Sequence, residues 1–100
     1  MSDIQEIISI LESKTAGLDA FDKKIKLDLD GNLILIDGTT TPPSIVSDYQ
    51  GDDADVSAAA TVDVFGQIIN KKMNVQMAMM SGKIKVSGNM VAAVPLMQLL

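Results

Sequence analysis

The chain has 100 residues, which is enough for one domain with one hydrophobic core. Hydrophobic residues make up 47% of it, cysteine and histidine are both missing, and the formal net charge is −5. The missing residue types exclude disulfides, thiolate or imidazole metal ligands, and Ser-His-Asp or Cys-His catalytic arrangements. Lys, Asp, Glu and Tyr remain as possible catalysts, so an enzyme is disfavoured rather than excluded, and we expect a protein that is not an enzyme and has no metal site. The acidic total also argues against a nucleic-acid partner.

The first half of the chain predicts a helix followed by a hairpin of two strands. Apolar residues recur at helical spacing over residues 2–14, which predicts an amphipathic helix. Residues 23–30 alternate between apolar and charged side chains and predict a half-buried strand. Asp30-Gly31 is typical of a tight hairpin turn. The next strand, residues 33–36, is continuously apolar, so we expect it to be covered on both faces.

The second half predicts shorter elements. They begin with a weaker strand over residues 44–49 and a strand of small side chains over residues 55–60. Two helices follow over residues 62–72 and 75–80, then a last strand over 83–87 and a final helix over about 90–100. Thr61 is the expected N-terminal cap of the first of these helices. Pro95 is expected to kink the final helix or to delay its start.

The final segment, residues 90–100, is unusually apolar, with Gln98 as its single polar side chain. It is too short to span a bilayer, and a helix that is apolar on all sides needs cover. The hydrophobic core is the default cover, and a partner or a bound ligand are the alternatives. Six of the seven methionines lie in residues 73–97, in or beside this segment. Because methionine adapts to varied apolar shapes, their clustering favours a pocket over ordinary core filling.

Charge is divided unevenly along the chain. Residues 1–63 contain all thirteen acids, whereas residues 64–100 contain no acid and four lysines, which are Lys71, Lys72, Lys83 and Lys85. These lysines either solubilise an apolar half or make transient contact with an anionic membrane surface. Four acids cluster at Asp48, Asp52, Asp53 and Asp55, which predicts a solvated loop, with a weak cation site as the alternative.

Residues 55–100 resemble the second half of the lipid-binding domain of the sterol carrier protein (type two) family. The resemblance rests on Lys72 to Gln76, on Ala78 and on Gly82 to Met90, which follow the family's Gly-Lys-Met-Asn-Pro-Gln-like turn, Gly-Lys-Leu-Lys strand and Gly-(Asn/Asp)-Met helix start. Phe65 also stands where the family has an aromatic residue. The sequence departs from the family at Val75, Met79, Met80, Lys71 and Pro95, where a proline, two phenylalanines, a glycine and a helix former are usual.

The resemblance implies an α+β fold in which helices cover a five-stranded, largely antiparallel sheet. It also implies an apolar tunnel between the sheet and the C-terminal helices, a lipid ligand and no cofactor. The ligand classes are a fatty acid, an acyl chain, a sterol or an isoprenoid, and methionines in place of rings indicate an adaptable cavity in which sterol is not assumed. We expect one domain over residues 1–100 that is cytoplasmic, a monomer or weak dimer, and active in lipid binding and transfer.

The candidate site combines this resemblance with the methionine cluster and the apolar face of residues 62–72. The predicted tunnel lining is Phe65, Ile68, Ile69, Met73, Met77, Met80, Met90, Val94 and Met97. Gln76, which matches the family turn, is the expected polar contact to the ligand. The alternative function is that of a structural or accessory module whose apolar C-terminus docks on a partner or forms a homodimer.

Overall fold

The computed structural model describes residues 3–51 and 53–100, and over these residues the chain has an α+β fold. The helices are α1 (Ile4–Thr15), α2 (Val62–Ile69), α3 (Val75–Met80) and α4 (Ala93–Leu99). The strands are β1 (Lys24–Leu29), β2 (Asn32–Asp37), β3 (Ser44–Ser47), β4 (Val56–Ala60) and β5 (Ile84–Gly88). The predicted fold class and the predicted order of elements are therefore confirmed.

The five strands form one mixed sheet in the order β3-β2-β1-β4-β5. β1 pairs in parallel with β4, and the other neighbouring strands pair antiparallel, so the sheet is largely antiparallel as predicted. The parallel pair arises because the connection from β3 to β4 crosses the first hairpin before β4 joins its far side. Two-residue turns join antiparallel strands only, so a longer crossover is needed here.

The first hairpin also anchors α2. Asp30 and Gly31 form its turn with φ of 56° and 85°, the left-handed pair that a type I′ turn requires. The Asp30 carboxylate then accepts a hydrogen bond from the Val62 backbone N–H, with 2.8 Å between Oδ2 and N. Thr61 Oγ1 accepts from the Val64 N–H at 3.0 Å, which confirms the predicted cap. Two side chains thus satisfy N–H groups that the first turn of α2 leaves without helical partners.

The two faces of the sheet differ in what covers them. The inner face carries Ile25, Leu27 and Leu29 of β1, which pack against α1 and α2 in the main core. On the outer face, Leu35 of β2 is buried. There, Lys26 Nζ donates to the Gly51 carbonyl at 3.1 Å, which holds the β3–β4 connection over that face. The prediction that the apolar strand is covered on both faces is confirmed.

Two predicted helices are shorter in the structure, for local reasons. α2 ends at Ile69 rather than at residue 72, because Lys71 adopts a left-handed conformation with φ of 64° that a helix cannot continue. α4 begins at Ala93 rather than near residue 90, and Pro95 lies in its first turn, where a missing N–H costs no helical hydrogen bond. α1 begins at Ile4, with the Asp3 carboxylate accepting from the Glu6 N–H. The predicted start of α1 at residue 2 lies outside the described residues.

Candidate functional site

The inner face of α2 lies at the centre of the core. Phe65, Ile68 and Ile69 are each 2% exposed or less and belong to the same buried cluster as Leu96 and Leu99 of α4. They are the predicted tunnel residues that lie deepest. The C-terminal helix α4 thus packs in the same buried cluster as the inner face of α2.

The remaining predicted lining residues lie nearer to solvent. Met73 and Met97 are partly buried, and Gln76 is exposed. Four others expose most of their side chains: Met77 (68%), Met80 (87%), Met90 (57%) and Val94 (53%). Large apolar side chains exposed to this extent within one short stretch are typical of an interaction or ligand site.

The exposure of the methionines follows from the geometry of α3. Asn74 caps this helix, its Oδ1 accepting from the N–H groups of Gln76 at 2.8 Å and Met77 at 3.2 Å. Ala78 is the buried residue of α3 and fixes which face meets the core. Met77 and Met80, three residues apart, therefore share the opposite face and point outward.

Met73 and Met77 line a common groove, which we call the methionine groove. It has a volume of about 410 Å³, and its lining residues are Lys72, Met73, Asn74, Met77, Ala78, Ser81 and Lys83. Ser81 Oγ is occupied in donating to the Met77 carbonyl at 2.9 Å. The groove therefore combines apolar side chains with two lysines, of which Lys72 precedes α3 in the chain and Lys83 follows it.

A second groove lies between α1 and α4 and was not predicted from the sequence. It has a volume of about 250 Å³ and is lined by Lys14, Leu18, Asp19, Phe21, Pro95, Gln98 and Leu99. Its two walls are almost eighty positions apart in the chain, so no local pattern signals it. Only the apolar character of residues 90–100 indicated that this part of the chain lines a groove.

The four lysines of the second half lie along a series of neighbouring grooves. Lys71 and Lys72 line one groove with Met73 and Leu100, and the Lys71 ammonium donates to the Leu100 carbonyl. Lys72 and Lys83 share the methionine groove, and Lys83 and Lys85 share the next groove with Asp28 and Asp30. Each of these lysines thus neighbours the next along a single band.

The acidic loop is tied to the sheet. Lys24 Nζ donates to Asp53 Oδ2 at 2.7 Å, and this hydrogen bond, followed by the charge of Asp53, raises the pKa of Lys24. The Asp55 carboxylate accepts from the Lys24 backbone N–H at 2.8 Å. Within residues 3–51 and 53–100, no three acidic side chains come together as metal ligands. Asp52 of the predicted cluster lies outside the described residues.

The helices of the described part of the chain are too short or too polar to cross a membrane. No curated protein sequence matches the chain significantly. The structure does match solved structures, and the three described next, at identities of 21% or less, show the fold alone.

Three of these solved structures share the fold of this chain over most of their length. Palmitated SCP2L2 from Aedes aegypti gives a TM-score of 0.81 at 19% identity, over 99% of this chain and 94% of that one. Sterol carrier protein 2 from Yarrowia lipolytica, in its apo form, gives 0.72 at 21% identity, over 94% and 86%. A UbiJ-SCP2 ubiquinone synthesis protein gives 0.68 at 15% identity, over 95% and 85%. The profile of the SCP-2 sterol transfer family matches residues 4–100, and the chain belongs to that family.

Proposed function

We propose that this protein is a non-enzymatic carrier that binds and transfers a lipid-like ligand in an apolar tunnel between the sheet and the C-terminal helices. The observation that carries the proposal is the family match over residues 4–100. The proposed ligand site consists of the predicted residues, which are Phe65, Ile68, Ile69, Met73, Gln76, Met77, Met80, Met90, Val94 and Met97. Opening requires α3 or α4 to move, because the α2 residues of this set are buried in the closed form.

The energetics suit an exchange protein. Removing a sixteen-carbon chain from water is worth up to ~13 kcal/mol, at ~0.8 kcal/mol per methylene. Association consumes at least ~4 kcal/mol of this through lost translational and rotational freedom. A membrane offers the same chain a similar apolar environment. Transfer between membrane and protein is therefore nearly balanced, which lets the protein both load and release its ligand.

A fatty-acyl ligand is supported by one comparison, and an accessory role by another. SCP2L2 from Aedes aegypti, which shares this fold, is palmitated. The UbiJ-SCP2 protein, which also shares it, is a ubiquinone synthesis protein. The second candidate function is accordingly an accessory module that docks on a partner. The exposed side chains of Met80, Met90 and Val91 favour a docking surface in that case.

Native mass spectrometry of protein purified from cells is the first test. We expect a mass increment that corresponds to one co-purifying lipid, since the interior surface of α2 is wholly apolar. Lipid-free protein that also fails to take up a fluorescent fatty acid would contradict the carrier function. The same spectra report the oligomeric state, for which we propose a monomer or weak dimer. A cytoplasmic location remains a prediction for microscopy.

Replacing Gln76 with leucine is expected to weaken ligands with a polar end more than pure hydrocarbons. A buried polar end that loses its partner costs about 1–3 kcal/mol, or roughly five- to a hundredfold in affinity. Gln76 is exposed in the closed form, so the contact must form when the helices open. Calorimetry with a fatty acid and a matched alkane measures the difference. Equal losses for both ligands exclude a role for Gln76 in contacting the polar end.

Replacing Lys71, Lys72, Lys83 and Lys85 with glutamine is expected to slow transfer to anionic vesicles. Each lysine near an anionic membrane contributes about 1 kcal/mol, and screening over about 8 Å limits opposition from distant acids. Transfer of a fluorescent fatty acid to anionic and to neutral vesicles measures the effect, which should shrink at high salt. At an equal charge change, K14Q/K23Q outside the band is the control for K83Q/K85Q within it. Equal slowing by both variants assigns the effect to net charge rather than to this band.

A further inference from the structure

We infer that Lys72 and Lys83 make the methionine groove selective for single-chain lipids with an anionic head over those with a neutral head. This inference rests on the proposed function, because it concerns which lipid the carrier prefers. It assigns a specificity role to two residues that the tunnel lining does not include.

The first step of the argument is the chemistry of the groove. Its apolar floor consists of Met73, Met77 and Ala78, and its two cationic side chains are Lys72 and Lys83. A flexible apolar floor accepts an acyl chain of no fixed shape. An ammonium group accepts no hydrogen bond, so it favours a carboxylate or phosphate over a hydroxyl that also needs to donate.

The second step concerns whether acidic side chains neutralise the two groove lysines. No acid is present in residues 64–100, and none lines the groove. Lys83 also lines the neighbouring groove with Asp28 and Asp30, whose carboxylates each accept a backbone hydrogen bond and form no ion pair with Lys83. Asp28 Oδ1 accepts from the Gly31 N–H at 2.9 Å, and Asp30 Oδ2 accepts from the Val62 N–H. Within residues 3–51 and 53–100, neither Lys72 nor Lys83 forms an ion pair with an acid, so no carboxylate of the described chain competes with a ligand for either ammonium group.

The third step concerns where the two lysines sit in the backbone. Lys72 N–H donates to the Gln67 carbonyl at 2.8 Å, and Lys83 N–H donates to the Ala78 carbonyl at 2.8 Å. Each lysine thus follows the end of a helix, one at α2 and one at α3, and α3 lies between them in the chain. Their backbones are fixed while their exposed side chains remain free to swing toward a head group. The groove is therefore suited to hold a single-chain lipid, with the chain against its methionines and the charged end at Lys72 and Lys83.

The test compares sodium dodecanoate with 1-dodecanol, both below their aggregation limits, by calorimetry at low salt and neutral pH. We expect wild type to bind dodecanoate about five- to tenfold more tightly, because each of two exposed charge pairs contributes about two- to threefold. K72Q/K83Q should lose that preference while its affinity for dodecanol is unchanged. K14Q/K23Q makes the same charge change away from the grooves that Lys83 lines and should keep the preference.

Methionine methyl spectra locate the bound ligand. We expect dodecanoate to shift the Met73 and Met77 methyl signals in wild type. Equal affinities for the two ligands in wild type overturn the inference and leave the carrier function intact. Loss of the preference in both double variants also overturns it, because net charge then explains the effect. If neither ligand binds and no methyl signal moves, both the inference and the proposed carrier function fail.

Discussion

Removing residues 90–100 is expected to abolish fatty-acid binding and to make the protein aggregate. The segment contributes Ala92, Ala93 and Leu96 to the buried core, together with Leu99 and Leu100. Truncation therefore exposes the apolar faces of α1 and α2 that these side chains cover. The same faces form the inner wall of the proposed tunnel, so closure and stability depend on the same segment. Binding of a fluorescent fatty acid and light scattering measure the two effects.

Point variants separate the contribution of residues 90–100 to stability from their proposed role in closing the tunnel. Leu96→Ala removes a fully buried side chain and is expected to lower the unfolding free energy by about 2–5 kcal/mol. Val94→Ala, two residues away on the exposed side of α4, should cost less than about 0.5 kcal/mol. If the truncated protein stays monomeric and binds the fluorescent fatty acid normally, residues 90–100 do not close the tunnel.

Local patterns were sufficient to predict most elements of the fold. The alternation in residues 23–30 and the Asp30-Gly31 turn each depend on neighbours in sequence, and both recur in the structure. The early end of α2 was not predicted, because it depends on Lys71 adopting a conformation that lysine rarely takes. The parallel pairing of β1 with β4 could not be predicted from local patterns either, because it depends on which edge of the hairpin the crossover connection reaches.

The site was harder to predict than the fold, because whether a residue lines the site depends on the direction in which its side chain points. A six-residue helix such as α3 has too few positions for periodicity to separate an inner from an outer face. The methionine cluster did indicate the region, and Met73 and Met77 do share a groove. Lys72 and Lys83 join them only through the fold, eleven positions apart. Whether the complete predicted set surrounds one ligand remains a prediction.

Phe65→Ala is expected to lower the unfolding free energy by about 3–5 kcal/mol, the range for loss of a fully buried aromatic side chain. Phe65 is fully buried in α2, in contact with the core that both the sheet and α4 complete. A domain of this size has a total stability of only about 5–15 kcal/mol, so the variant should be marginal. Urea denaturation measures the change. Phe21→Ala is the matched control and should cost clearly less, because Phe21 is only partly buried.

The same variant tests where the ligand lies. If the acyl chain occupies the tunnel beside α2, it can fill the space that the missing ring leaves, because an apolar cavity binds apolar guests. Saturating dodecanoate should then raise the stability of Phe65→Ala by more than it raises that of wild type. A ligand that binds only in the surface groove cannot reach this space and should stabilise both proteins equally. Equal stabilisation would therefore move the binding site away from Phe65, Ile68 and Ile69 and toward the methionine groove alone.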